Sequence, residues 1–252
     1  MHSLRLCLAL WGLFLVTGLS AEHVVFVVPE SADAMPMARI GNSEIKAGIH
    51  LDLARAISAE LEKNYDIVVT ARARIDLHFE KRLADVWCYA RPEWTTLELH
   101  FSQPILRNSE AVVWHRDAKP LWSLTDLAGE PIGTINGFFY PVLNQLGEDL
   151  VRDDSPGFEA NLQKLANQRV QYLYADELLF NYFQRFYPTF LPVSEQRLRV
   201  NEFDVHCALH PEGRVSLADF NRALNNLWRS GKWRAILDNY GVAEHLPPFY
   251  TD

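Results

Sequence analysis

Residues 24–29 read Val-Val-Phe-Val-Val-Pro. Five consecutive apolar, mostly β-branched residues stopped by a proline fit a strand buried on both faces, the environment of a parallel sheet covered by helices. Beyond a loop with Pro36 and Gly41, the residues Leu51, Leu53, Ala54, Ile57 and Leu61 recur at helical spacing. Asp52 falls in the first turn, where a negative charge suits the helix dipole. Ile67–Thr70 predicts the next strand, Ile75, Phe79 and Leu83 a short helix, and Val86–Tyr89 a third strand. Strand, helix, strand, helix, strand is the order of an α/β unit.

After a Pro-containing connector at Phe101–Ile105 and a short apolar strand at Ala111–Trp114, the pattern starts again. Leu124–Leu127 predicts a helical turn, Ile132–Ile135 a strand, Gly137 a loop and Tyr140–Leu146 a helix. Phe158, Leu162 and Leu165 mark another helix running into a strand at Val170–Tyr174. The halves share a local signature: Leu83-Ala84-Asp85-Val86 precedes one strand and Leu165-Ala166-Asn167 the other, each followed by aromatics. The chain reads as two similar doubly wound α/β lobes. Val205–Leu209 predicts a further strand. The tail forms two apolar-faced helices, Leu217 to Trp228 and Trp233 to Tyr240, split at Gly231. No connector is long enough to be a flexible linker, so short crossings near Gln103–Ser109 and Asn201–Phe203 join the lobes.

Arg5, the apolar run Leu6–Val16 and the small residues Gly18, Ser20 and Ala21 have the form of a secretory signal peptide cleaved after Ser20 or Ala21. The run is about half the ~20 residues of a membrane span, and Cys7 stands at its start, whereas a lipid-anchor cysteine would stand at its end. The exported chain is then expected to be soluble and periplasmic. Of 24 basic residues, 23 remain once Arg5 is removed, against 32 acidic ones, a net charge of −9. An acidic surface without a Lys or Arg run argues against nucleic acid and anionic lipid. Export leaves Cys88 and Cys207, which in an oxidising compartment form either one disulfide or two buried thiols.

Four segments resemble the family 3 extracellular solute-binding proteins, the polar amino-acid-binding group of bacterial ABC importers. "GIHLDLARAISAEL" (Gly48–Leu61) resembles the family's Gly-Phe-Asp-x-Asp-Leu helix start. "PEW" followed by "LHFSQPI" (Pro92–Ile105) is similar to its Pro-Glu-Arg and Phe-Ser-x-Pro segment. "SLTDLAGEPIGTINGF" (Ser123–Phe138) is similar to the opening of the second lobe and "LNNLWRSGKWRAILDNYG" (Leu224–Gly241) to the closing helix pair. The resemblance implies a type II periplasmic-binding-protein fold, with residues 22–105 and 204–252 as lobe 1 and 106–203 as lobe 2. It implies a monomer that closes on a small solute, an amino acid or another polar or cationic molecule, and a membrane permease as partner. It also implies that the strand carrying Cys207 lies beside the one carrying Cys88, which favours the disulfide.

By the same resemblance, Asp176 in "YLYAD" stands where the family's amine-binding aspartate lies; the plain alternative is a helix-capping aspartate. The arginine expected after Pro92-Glu93 is Trp94, so the usual carboxylate clamp is missing. Phe138 and Phe139 replace small or hydroxyl residues after the loop glycine, and His50 replaces the motif's first aspartate. Either Arg72, Arg74 or Arg91 supplies the displaced charge, or the ligand has no α-carboxylate and Trp94, Phe138, Phe139 and Tyr140 offer aromatic faces to an apolar body or a cation. Glu30, just past the first strand, completes the candidate set. No metal, nucleophile or phosphate-loop motif is present, so no enzyme activity and no cofactor are expected. The alternatives are a binding partner of a membrane sensor, or a lyase resembling the cyclohexadienyl dehydratases, working through Glu30 or Asp176.

Overall fold

The computed structural model describes residues 23–188 and 192–248; the expected signal peptide, with Arg5 and Cys7, lies outside the described residues. Eleven strands are described: β1 (His23–Pro29), β2 (Arg39–Gly41), β3 (Glu44–Ala47), β4 (Asn64–Thr70), β5 (Val86–Ala90), β6 (His100–Phe101), β7 (Leu106–Trp114), β8 (Pro131–Ile135), β9 (Val151–Ser155), β10 (Tyr172–Asp176) and β11 (Leu198–Leu209). The described α-helices are α1 (Ile49–Glu60), α2 (Ile75–Glu80), α3 (Phe158–Ala166), α4 (Glu177–Phe186), α5 (Leu217–Arg229) and α6 (Lys232–Asn239).

The strands form two lobes of the same design. One runs β4-β1-β5-β11-β6 and the other β9-β8-β10-β7-β11. In each, the first three strands are parallel and the fourth is antiparallel, and that fourth strand arrives from the other lobe. The two crossings are therefore β7 and β11, which run side by side from Leu106↔Val205 to Val112↔Leu198. Hydrogen bonding continues unbroken from one lobe to the other because β11 is long enough to serve both. It passes from β7 to β5 between Val205 and His206, and a register shift between His206 and Cys207 interrupts its ladder with β5.

Each lobe has apolar packing on both sheet faces, which is why residues 24–28 are apolar without alternation. In the first lobe, α1, α5 and α6 bury Ile57, Phe220, Leu224 and Trp233 on one face, and α2 packs Phe79 against Trp87 and Ala90 on the other. In the second, α3 and α4 pack Phe158, Leu162 and Phe183, while irregular turns bring Leu127, Tyr140 and Leu143 to the opposite face. Two glycines are required by the backbone. Gly48 starts α1 at φ 117°, where an added Cβ would lie 2.5 Å from the Met37 carbonyl oxygen, and Gly231 separates α5 from α6 at φ 71°.

The helix expected over Tyr140–Leu146 does not form. Pro141 disfavours helical geometry at Tyr140, and 3₁₀ turns begin only at Leu143 and are broken by a kink at Gly147 before Asp149. The strands expected at Ala111–Trp114 and Val205–Leu209 extend over the polar residues of the crossings, because those pair with one another and leave the core.

Cys88 and Cys207 stand directly opposite each other on β5 and β11 and are joined by a disulfide. It links residues 119 apart in sequence; constraining a loop of that size stabilises by up to about 4–5 kcal/mol in the chain-entropy model. Urea unfolding with and without reductant is expected to show the reduced protein less stable by a large part of that amount. Equal midpoints would mean that the bond does not form in solution.

Candidate functional site

β5 and β10 hold equivalent third positions in their lobes, and their C-terminal ends meet at the seam between the lobes, where open α/β sheets bind ligands. The meeting is made by Tyr89 of β5 and Asp176 of β10. The Tyr89 hydroxyl donates to Asp176 Oδ2 at 2.5 Å and accepts from Asn108 Nδ2 at 2.5 Å. Asn108, buried on the crossing strand β7, also accepts the Leu178 amide at 3.1 Å through Oδ1. Tyr89 is the bulged residue of β5: Cys88 pairs with Cys207 and Ala90 with His206, which leaves Tyr89 unmatched at φ 58°. A bulge bends the strand and re-aims one side chain.

Asp176 is also the N-cap of α4, its Oδ1 accepting the Leu179 amide at 3.2 Å. The capping role and the place at the seam therefore hold together, one oxygen serving each. Directly opposite Asp176 on the antiparallel ladder is Glu110 of β7. Glu110 Oε2 accepts from the Tyr174 hydroxyl at 2.9 Å and from Asn201 Nδ2 at 3.2 Å. Burial lifts the Glu110 carboxyl above the usual range; the bonds from Asn201 and Tyr174 oppose the rise and the charge of Asp176 adds to it. The Tyr89 hydroxyl is likewise raised well above its ordinary value by burial and by Asp176. Tyr140 packs edge-on against Tyr174, with ring centroids 4.9 Å apart, and burial pushes its hydroxyl up to about 12.

Trp94 follows β5 in a 3₁₀ turn, half-buried, its ring 6.3 Å from both Trp87 and Tyr89. Tyr89 thus brings Trp94 and Asp176 into one neighbourhood. Of the three arginines, Arg91 is the one whose charge reaches Glu110 and Tyr174. Its guanidinium lies 4.1 Å from the Phe203 ring centroid and is ion-paired with Glu93. Arg72 covers Trp87 at 4.4 Å and donates to the Trp94 carbonyl. Arg74 is exposed at the start of α2.

Of the remaining candidates, Phe138 touches this group through Tyr140. His50 is buried in the first turn of α1, and burial lowers its imidazole to about 4. Glu30 is exposed in a 3₁₀ turn after β1. Phe138 is partly exposed and packs 6.3 Å from Tyr140, whereas Phe139 is 77 % exposed. Sequence reasoning did not single out Tyr89, Asn108, Glu110 or Tyr174. The alternation Tyr172, Tyr174, Asp176 along β10 was the available signal for Tyr174.

Behind the seam, Glu177 is almost wholly buried. It receives Arg199 Nε at 2.7 Å and Arg197 Nη1 at 3.1 Å, both from beside or within β11, and the hydroxyl of Ser109 on β7. This carboxylate ties α4 to both crossing strands. Burial would raise its pKa, but the bonds from Arg199 and Ser109 and the charges of both arginines prevail and hold it below the ordinary range.

No family model matches the chain, and no curated protein matches it in sequence. Solved structures do match. An ancestral arginine-binding protein bound to arginine has a TM-score of 0.69 at 19% identity, over 87% of this chain and 98% of that one. The GluR0 ligand-binding core in complex with L-glutamate has 0.70 at 19% identity, over 88% and 99%. The arginine-, lysine-, histidine-binding protein ArtJ from Geobacillus stearothermophilus has 0.68 at 17% identity, over 90% and 98%. This likeness shows the fold, that of the type II periplasmic binding proteins.

Glu177→Ala is expected to destabilise the protein by about 3 kcal/mol, the low end for breaking a buried ion pair because Arg197 and Arg199 keep access to water. A folded-state pKa below the unfolded one means that the contribution is present above about pH 4.3 and is lost as pH falls through the lowered value. The stability gap between the parent and Glu177→Gln, measured by urea denaturation, should therefore close on acidification; a gap that widens would reverse this assignment.

Proposed function

We propose that the chain binds a small solute carrying a cationic amine, and no free carboxylate, between its two lobes. The carrying observation is the pairing of Asp176 with Glu110 across one ladder position at the seam. Like charges directly opposite one another are destabilising, and half-buried carboxylates seek a cation. Among the described residues, Arg72 and Arg91 are already engaged with aromatic rings and with the Trp94 carbonyl or Glu93. A ligand carboxylate would therefore meet two acidic groups and an Arg91 already paired with Glu93, whereas an ammonium or guanidinium would meet two acceptors among Trp94, Tyr140 and Tyr174. Of the two routes open in the sequence, the geometry supports the one without an α-carboxylate. Arg91 then serves to moderate the charge of Glu110.

On this reading residues 22–105 with 204–252, and 106–203, are the two moving lobes; the β7/β11 register supports hinges at those boundaries. The protein works in the periplasm after export, as a monomer without cofactor, delivering its solute to an ABC-type permease. Presentation to a membrane sensor uses the same closure. The binding reading is favoured over chemistry because the fold-level neighbours are binding proteins. One observation favours a lyase as second reading: Glu110, a buried carboxyl held high, is suited to proton transfer. Mass spectrometry of the recovered probe separates the two, since binding returns it unchanged.

The decisive comparison is agmatine against L-arginine, which differ by the carboxylate. Leaving that group without a charged partner costs on the order of 2–5 kcal/mol, so calorimetry should show agmatine binding at least about tenfold tighter. Micromolar binding of several common α-amino acids would end this reading. Glu110→Gln supplies a second check. A raised folded-state pKa gives stability that is present below the unfolded value and lost as pH rises through the folded one, so well above the unfolded value the Glu110 carboxyl is a burden. The variant should melt higher than the parent at pH 7 yet bind agmatine more than about tenfold more weakly.

A further inference from the structure

The acceptor that Asp176 offers to a ligand is already in use. Its Oδ1 accepts the Leu179 amide at the start of α4, and Oδ2 accepts the Tyr89 hydroxyl from the opposite lobe at 2.5 Å. The hydroxyl is fixed by more than this one bond. Asn108 on the crossing strand donates to it at 2.5 Å while its carbonyl oxygen holds the Leu178 amide. The backbone of Tyr89 sits at φ 58°, a left-handed conformation costly for a bulky residue, at a bulge beside the Cys88–Cys207 bond. Elsewhere along the seam the lobes also touch. Arg39 of the β2–β3 hairpin lies 3.5 Å from Glu159 of α3, and Ala34 is buried in the second lobe's cluster.

We propose that the Tyr89 hydroxyl is a built-in occupant of the ligand's amine position, a latch that keeps the lobes together before a ligand arrives and that the ligand must displace from Asp176. A phenol O–H donates to a carboxylate as an ammonium N–H does, but without the full charge. A cationic donor outcompetes it because the hydrogen bond is then charge-assisted from both sides, whereas a neutral hydroxyl or amide donor gains nothing over the tyrosine. Tyr89 is thereby a specificity-determining residue: it raises the threshold that any occupant must pass. The displacement rests on the amine-binding reading given above; the latch itself does not.

The test uses the full exported chain, ligand-free and with agmatine, comparing the parent with Tyr89→Phe and Asp176→Asn. Phenylalanine keeps the ring, and asparagine keeps a good N-cap for α4. If the latch operates, both substitutions shift the ligand-free closed-to-open ratio by about tenfold or more toward open. This would appear as a larger radius of gyration in X-ray scattering and faster amide exchange at Leu178 and Leu179. Because the Tyr89 bond is made only in the ligand-free state, Tyr89→Phe should also tighten agmatine binding by about tenfold, where a residue that merely lined the site would weaken it. Unchanged scattering and exchange in both variants would overturn the latch whatever agmatine does. An opened Tyr89→Phe that binds agmatine more weakly would overturn the displacement. Failure of the parent to bind agmatine, with both variants opened, would keep the latch and sink the amine reading alone. Should Tyr89→Phe fail to fold, Asp176→Asn carries the scattering test from the other lobe.

Discussion

The antiparallel pair β7 and β11 is the constraint from which the rest follows. Each strand is the fourth member of the sheet opposite the one from which its chain segment comes, so neither lobe is complete without the other. Two adjacent backbone-hydrogen-bonded ribbons resist splaying but allow a small twist, which is what a shear or hinge motion between lobes needs. Along this pair Arg107, Asn108, Ser109 and Glu110 stand opposite Asp204, Phe203, Glu202 and Asn201 in turn, where the two cores stop. Trp233 of α6 bonds the Ile105 carbonyl at 2.8 Å and so fixes the point at which the first crossing leaves its lobe.

From that constraint the site takes its composition. A strand that leaves a core to cross a seam cannot be apolar throughout, and its polar residues must either find partners or face the solvent. Here several find partners: Asn108 with Tyr89 of the other lobe and with Leu178, Ser109 with Glu177, Glu110 with Tyr174 and Asn201. Glu110 is the poorly served member, opposite Asp176 and lifted by burial. On the proposed reading, a cation would relieve this cost, and binding energy would come from the difference between the two states.

What the sequence made legible was local or periodic. The run at residues 24–28 carried the parallel sheet, the i, i+3, i+4 pattern carried α1, α3, α5 and α6, and the repeated Leu-Ala-Asp/Asn signature marked β5 and β10 as equivalents. The place of Asp176 at a strand end was readable from "YLYAD". The rest depended on distant parts of the chain. The bulge at Tyr89 exists only because β11, more than a hundred residues away, slips its register there. Glu110 lies in a stretch that reads as ordinary surface until β10 and β11 close on both its sides. β9 escaped notice because Val151–Ser155 carries three charged residues, which suit a strand at the sheet edge. His50 is a different case: motif position suggested a ligand contact, and the side chain is buried in the first turn of α1.

The repeat that builds the two lobes also explains why the seam is asymmetric in its chemistry. β5 and β10 place their C-terminal ends toward one another, so a duplicated scaffold supplies two facing strand ends, and whatever these carry must be compatible across the gap. One end carries a hydroxyl on a bulged tyrosine and the other a carboxylate, a donor matched to an acceptor. Two carboxylates facing each other there would repel and hold the lobes apart; two apolar ends would seal them without selectivity. A donor and an acceptor can close on each other or open to admit a stronger donor, and only the second choice needs a cation. A second carboxyl, Glu110, stands beside the acceptor and across the ladder from it, so on the proposed reading a cation that displaces the tyrosine would meet an acceptor the hydroxyl does not use.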